Sequence, residues 1–222
     1  IAFSRLVHAH GQILGGQVYT VSATGGGLHR LTTGTGGYDE LLGWSPDGKH
    51  IAFERIQGGI GAVYVVGADG SGSRRVTPGG EVDDYLAAWS PNSKKIAFVR
   101  TAANAFGDIF VMNADGSGAR AVARSSADET SVRWSPDGAK IAFMSDRGAH
   151  YEIYVASAGG GAARQVSRTP TAAHGPQWSP DGKTITFASD VDGQWQIAVV
   201  GSNGADQRQL TRSAGDNTNP SW

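Results

Sequence analysis

Acidic side chains recur at one fixed place in this sequence. Five of its six tryptophans, Trp44, Trp89, Trp134, Trp178 and Trp222, stand 45, 45, 44 and 44 residues apart. Five and six positions before them lie Asp39 and Tyr38, Asp84 and Asp83, Glu129 and Asp128, Ala173 and Ala172, and Asn217 and Asp216. Glu40 adds a carboxylate to the first set, and His174 stands beside the fourth. Carboxylates brought together repel, so something must offset their charge. A cation held by oxygen ligands would do so, with Asp39, Asp84, Asp128 and Asp216 as candidate ligands and calcium as the ion of choice. The basic group of a peptide would serve equally. Paired acids could instead cleave a sugar chain. The plainest alternative is that these residues cap turns, since Asp and Asn accept backbone N–H bonds in loops.

Aromatic residues accompany the acids. Tyr38 and Tyr85 lie in the same connections, while Phe106, Tyr151 and Trp195 lie in a second set of connections with His8 and His10. Aromatic side chains around an acidic centre suit recognition of a peptide or sugar. They could equally do no more than cover sheet edges. His8 and His10 could place two imidazoles on one side of an extended segment, but no third metal ligand accompanies them.

These positions are carried by a tandem repeat. The text Trp44-Ser45-Pro46-Asp47-Gly48-Lys49 returns as Trp89-Ser90-Pro91-Asn92-Ser93-Lys94, Trp134-Ser135-Pro136-Asp137-Gly138 and Trp178-Ser179-Pro180-Asp181-Gly182-Lys183. An apolar triplet follows each: Ile51-Ala52-Phe53, Ile96-Ala97-Phe98, Ile141-Ala142-Phe143 and Ile185-Thr186-Phe187. Then come Val63-Tyr64-Val65 and its equivalents, a turn such as Ala68-Asp69-Gly70, and an ending of Val-Thr, Val-Ser or Leu-Thr. Pro-Asp-Gly makes tight turns, and β-branched and aromatic runs suit strands. No stretch has sustained helical periodicity. Four short strands in about 45 residues is the period of a β-propeller blade.

The expected fold is therefore all-β: a five-bladed β-propeller of four-stranded antiparallel blades in one domain, 1–222. Blades begin near 39, 84, 129 and 173. The closing blade combines 218–222 with about 1–32, because Ile1-Ala2-Phe3 lacks the first strand that Thr218-Asn219-Pro220-Ser221-Trp222 supplies. Such pairing of tail with head leaves no open sheet edge. The surplus length in the first copy, Leu6 to Gly16, is expected to connect the second and third strands. The Trp rings should pack between blades. The acidic positions then open onto one mouth of the central channel.

Composition narrows the function. Lys plus Arg number 19 and Asp plus Glu 20, for a net charge of −1, so nothing pulls the chain toward nucleic acid or an anionic membrane. No apolar run is long enough to span a bilayer, and membrane insertion is not expected. Cysteine is absent, which excludes disulfides and thiolate chemistry. The chain opens at Ile1 with no signal-like segment, as a processed protein, a fragment or an engineered piece would.

The Trp-Ser-Pro-Asp-Gly-Lys, Ile-Ala-Phe and Ala-Asp-Gly text resembles TolB-type, WD-like propeller repeats over essentially the whole chain. The resemblance implies a periplasmic or extracellular protein that binds a peptide or protein at a channel mouth. In such repeats the family partner is a lipoprotein and the ring has six blades, whereas five repeats are counted here. Related propellers cap peptidases, but no Gly-x-Ser-x-Gly elbow occurs. The leading expectation is a non-enzymatic, monomeric recognition module without a cofactor, apart from calcium or another cation at the mouth. Its alternatives are a glycoside hydrolase or lyase that uses the mouth carboxylates, and an excised or engineered scaffold without a present ligand. The expected binding residues are Asp39, Glu40, Asp83, Asp84, Asp128, Glu129, His174 and Asp216, with Tyr38, Tyr85, Phe106, Tyr151 and Trp195.

Overall fold

The computed structural model describes residues 1–9, 12–33, 37–102 and 105–222, with 7–9 and 12–14 given by backbone alone. Every regular element among these is a strand. The chain divides into two compact units: Ile1–Asn104 with Met112–Ala119, and Ala105–Val111 with Arg120–Trp222.

The first unit begins with the hairpin β1 (Ala2–Ala9) and β2 (Gln12–Thr20), with β3 (His29–Arg30) along β2. The strands β4 (Tyr38–Trp44), β5 (His50–Gln57), β6 (Ile60–Gly67) and β7 (Arg74–Arg75) pair antiparallel in chain order. One parallel contact, Gly16 opposite Tyr38, joins β2 to β4. The strands β8 (Val82–Trp89) and β9 (Lys95–Ala102) follow. The boundary between the units falls within β10 (Gly107–Asn113).

In the second unit β10 pairs with β11 (Arg120–Ala123). Then come two four-stranded antiparallel sheets in chain order. One consists of β12 (Glu129–Trp134), β13 (Lys140–Ser145), β14 (Glu152–Ser157) and β15 (Arg164–Gln165). The other consists of β16 (Ala173–Trp178), β17 (Thr184–Val191), β18 (Gln194–Gly201) and β19 (Arg208–Gln209).

The repeated text is accounted for bond by bond. In Ser45-Pro46-Asp47-Gly48-Lys49 the Ser45 hydroxyl donates to Asp47 at 2.6 Å and accepts the His50 N–H at 2.9 Å, while Lys49 N–H reaches Asp47 at 3.1 Å. Those bonds favour the ionised acid and hold the Asp47 carboxyl below its usual range. Gly48, Gly138 and Gly182 take φ near +70°, which glycine does without strain. Ser93 replaces glycine there at φ +60°, and its hydroxyl accepts the Asp47 N–H at 3.0 Å.

The terminal Val-Thr, Leu-Thr or Val-Ser residues also have a physical task. Val18, Val63, Ile153 and Ile197 donate their N–H groups to the hydroxyls of Thr32, Thr77, Ser167 and Thr211, at 2.7–3.1 Å. A short fourth strand thus satisfies a donor it cannot reach by backbone pairing. In the second copy Ala123 stands at this position, and backbone pairing of Ile109 with Ala123 takes over.

Arginines tie successive repeats. Arg74 donates to the carbonyls of Ala114 and Asp115 at 3.1 and 3.0 Å, and Arg120 to those of Ala158 and Gly159 at 2.8 and 2.7 Å.

The apolar triplets form the cores. Phe53, Phe98, Phe143 and Phe187 are fully buried, as are Ile51, Ile96, Ile141 and Ile185. Trp178 packs with Ile153, Val155 and Val166 of the preceding sheet and with Ile185, Phe187 and Val200 of its own. Its indole N–H donates to the Arg133 carbonyl at 3.2 Å.

Three expectations fail in detail. Trp44 and Trp222 are 37% and 58% exposed, so packing of the ring between sheets does not extend to them. The surplus length at Leu6–Gly16 is not a plain connection, because it prolongs β1 and β2 with a register shift at Val7/His8. Residues 210–222 carry no strand, where a first strand at 218–222 was expected.

Candidate binding site

The residues before each Trp lie on β4, β8, β12 and β16. Each of these strands is bulged, with a register shift between Leu41/Gly43, Tyr85/Ala88, Thr130/Arg133 and His174/Gln177. In the last three the residue three before the Trp is left-handed: Leu86 at φ +49°, Ser131 at +55° and Gly175 at +63°. Asn219 repeats this at +55° before Trp222, although its segment carries no strand. A bulge adds twist and re-aims the side chains beside it.

The carboxylates five before the first three Trp residues are each engaged within their own repeat. Asp39 and Asp84 are buried. Asp39 is gripped by Arg55 at 2.6 and 2.8 Å, and Asp84 by Arg100 at 2.7 and 3.0 Å. Both pairs sit directly across a two-strand register, Asp39 opposite Arg55 and Asp84 opposite Arg100. In the third copy Ser145 stands opposite Glu129, and the arginine comes two residues later. Glu129 Oε1 accepts from Arg147 at 2.7 Å, Ser125 at 2.5 Å and Ser145 at 3.1 Å. The fourth copy has Ala173 opposite Ser189 and needs no cation.

The acids six before each Trp are turn acceptors. Asp83 receives the Gly61 N–H at 2.6 Å, Asp128 the Gly107 N–H at 2.8 Å and Asp216 the Trp195 N–H at 2.9 Å. Each fastens the start of a third strand, in β6, β10 or β18, to the segment that leads toward the next repeated Trp. Among the described residues no group of three or more His, Cys, Asp or Glu side chains is placed to hold a metal ion.

In the first unit a smaller acidic group remains. Tyr38 donates to Glu40 at 2.5 Å, and this bond, with burial, pushes its hydroxyl up to about 12. Glu40 pairs across the strands with Glu54. Glu54 is raised to about 7, first by burial and then by the charges of Asp83 and Glu40. Tyr85 meets the Thr101 hydroxyl at 3.3 Å.

In the second unit the expected residues do meet. The His174 ring stands edge-on to Trp195 at 4.7 Å and to Tyr151 at 5.9 Å. Tyr151 donates to Asp128 at 2.7 Å. Burial holds the His174 imidazole below its usual pKa, favouring its neutral form. His174 and Trp195 line a recess of about 530 Å³ together with Ser131, Arg133, Met144 and Asn219. Phe106 is exposed and does not line it. His10, and the side chain of His8, lie outside the described residues.

Sequence reasoning missed Arg133 and the left-handed residues. It also missed Glu152, whose Oε1 accepts the Thr169 N–H at 2.6 Å and which also binds the Ser167 hydroxyl. Gln196 takes the equivalent place in the next repeat, bonded to Thr211 at 2.9 Å. Arg55 and Arg100 had a visible signal, for each stands two residues after the Phe of its triplet.

Comparison with known proteins agrees with this architecture. The model of the TolB beta propeller domain matches residues 85–222. The crystal structure of TolB from Acinetobacter baumannii superposes with a TM-score of 0.70 at 22% identity, covering 91% of this chain and 50% of that one. The chain thus spans about half the length of that protein. An oligogalacturonate lyase in complex with manganese gives 0.65 at 16% identity, covering 84% and 54%. A puromycin-hydrolyzing peptidase of Mycobacterium tuberculosis gives 0.70 at 15% identity, covering 95% and 36%. At these identities the likeness is one of fold. A search of curated proteins found no match. With four-stranded antiparallel sheets, the repeated Trp-Ser-Pro-Asp-Gly turn and a family match over more than half its length, the chain belongs to the TolB β-propeller domain family.

Proposed function

We propose that this chain is a non-enzymatic binding module that takes a peptide or a protein segment at the face bearing the His174 recess. The observation that carries this reading is the contrast between the two kinds of candidate residue. Asp39, Asp84 and Glu129 are engaged by Arg55, Arg100 and Arg147, whereas His174, Trp195 and their neighbours border an open recess. Acids held in that way are poor proton donors or nucleophiles, so the hydrolase alternative gains no support from them. Family membership adds weight to a protein partner and to a periplasmic setting.

The five-blade count and the closing of the ring by 218–222 belong to the same proposal. In the second unit Trp222 donates to the Gln177 carbonyl at 3.3 Å, as Trp178 does to Arg133 one repeat earlier. The Asn217 N–H bonds to the Trp195 carbonyl as the Ala173 N–H bonds to that of Tyr151. These bonds support the reading of the tail as a first strand, for which the text of Ile1-Ala2-Phe3 would supply the second.

Selection from a library of displayed peptides on the immobilised protein tests the binding role. Enriched peptides should lose affinity for a Trp195→Ala variant and keep it for an Asp69→Ala variant at a turn of the first unit. Failure to enrich any sequence, or equal binding to both variants, would refute the reading. Deletion of 218–222 tests the closure and should lower the melting temperature by many degrees; an unchanged value would refute it.

A further inference from the structure

The recess in the second unit is built by the repeat itself. Three of its lining residues, Ser131, Gly175 and Asn219, are the left-handed residues of successive copies. Two of these are not glycine, and non-glycine residues at positive φ are sparse and concentrate at functional sites. The bulged strands of two consecutive copies and the equivalent segment of a third therefore line one cavity.

The chemistry of that cavity is donor-rich. Arg133 is its one charged lining residue, and no Asp or Glu lines it. One Arg133 nitrogen, Nη1, donates to the Val132 carbonyl at 2.8 Å. Among the described residues Arg133 has no carboxylate partner, unlike Arg55, Arg100 and Arg147. The other residues immediately before a repeated Trp are Gly43, Ala88, Gln177 and Ser221, so the cation is peculiar to this copy. Arg133 is exposed as a whole residue, and desolvation of the covered part of its side chain lowers its pKa. The recess also offers the Ser131 hydroxyl, the Asn219 amide, and an apolar wall of Met144, Ala188 and Trp195. Its volume of about 530 Å³ falls in the range of small-ligand and side-chain pockets.

We propose that this recess is a carboxylate-binding pocket, in which Arg133 takes the anion and Trp195 with His174 receives the apolar or aromatic body attached to it. The guanidinium fork matches a carboxylate in two-point geometry, which no other lining group can do. The sign is opposite to the cation expected from the acidic positions. This inference rests on the binding reading above and adds the ligand class: a peptide C-terminus, an acidic side chain, or a small aromatic acid.

The test uses the full chain and three small probes: N-acetyl-phenylalanine, its amide, and benzylamine. The Trp195 indole and His174 ring resonances are followed during titration. The acid should give saturable shifts with a Kd on the order of 1 mM, and the amide should bind about tenfold more weakly. Arg133→Gln should level the two affinities, and Arg133→Lys should restore part of the preference. Equal affinity for acid and amide, tighter binding of benzylamine, or no saturable shift would overturn the proposal. Should Arg133→Gln lower the melting temperature, the acid-to-amide ratio of the unaltered protein still decides. Peptides enriched in the display experiment without preference for a carboxylate would sink this inference and leave the binding role intact.

Discussion

Arg100 holds Asp84 through two guanidinium nitrogens, Nε at 2.7 Å and Nη2 at 3.0 Å, and the carboxylate is completely shielded from water. The same geometry at Arg55 and Asp39 makes this a device of the repeat. An acid so placed works as a cross-strand staple. Replacing Asp84 with Ala strands a largely buried guanidinium and should cost about 3–5 kcal/mol, whereas an apolar pair such as Asp84→Val with Arg100→Met should restore most of it. Urea unfolding of the single and double variants checks this. A single-variant loss below about 1 kcal/mol would mean that water already solvates the pair.

Glu54 makes the first unit sensitive to alkali. Its carboxyl is raised from the ordinary glutamate range to about 7, so between those values the folded chain holds a proton that the unfolded chain has released. Stability must therefore fall as pH rises through this window, by up to about 1.4 kcal/mol per pH unit for the single group. Glu54→Gln should flatten that slope and raise stability at pH 8. Thermal melts from pH 4.5 to 8 would show it, and parallel curves for the two proteins would count against it.

The hydroxyl of Ser167 satisfies the buried Ile153 N–H at 2.7 Å and also binds Glu152. Ser167→Ala should cost about 1–3 kcal/mol by orphaning a buried donor. Ser167→Thr, the residue found at Thr32, Thr77 and Thr211, should be far milder. Chemical denaturation of the two variants separates loss of the hydroxyl from loss of volume.

The repeated tryptophans should not be equivalent. Trp178 is buried in a core that spans two sheets, and Trp178→Ala should cost about 3–5 kcal/mol. Trp222 is 58% exposed, and Trp222→Ala should cost about 1 kcal/mol, chiefly for its bond to Gln177. Equal losses at both positions would mean that the tail is covered in solution.

The frame was legible because its signals are local and repeated. Ser45, Asp47 and Gly48 close a turn among themselves, and four copies of that text fix four hairpins. The chemistry was less legible because an acid's role depends on what stands across the sheet. Asp39 read alone suggests a ligand; read with Arg55 sixteen residues on, it is a staple. Arg133 gave no signal, since one cation before one Trp acquires meaning only when the bulges of neighbouring copies surround it. The places of His174, Tyr151 and Trp195 in the repeat followed from its phase, while their edge-on geometry did not.

The guanidinium of Arg74 closes on a turn some forty residues downstream, and Arg120 does the same one step later. Every hairpin tip so clasped owes part of its rigidity to the sector before it. Melting should then spread outward from whichever sector yields first, the way a zip opens from a broken tooth, and each unit's robustness is set by its nearest-neighbour seams as much as by any single core.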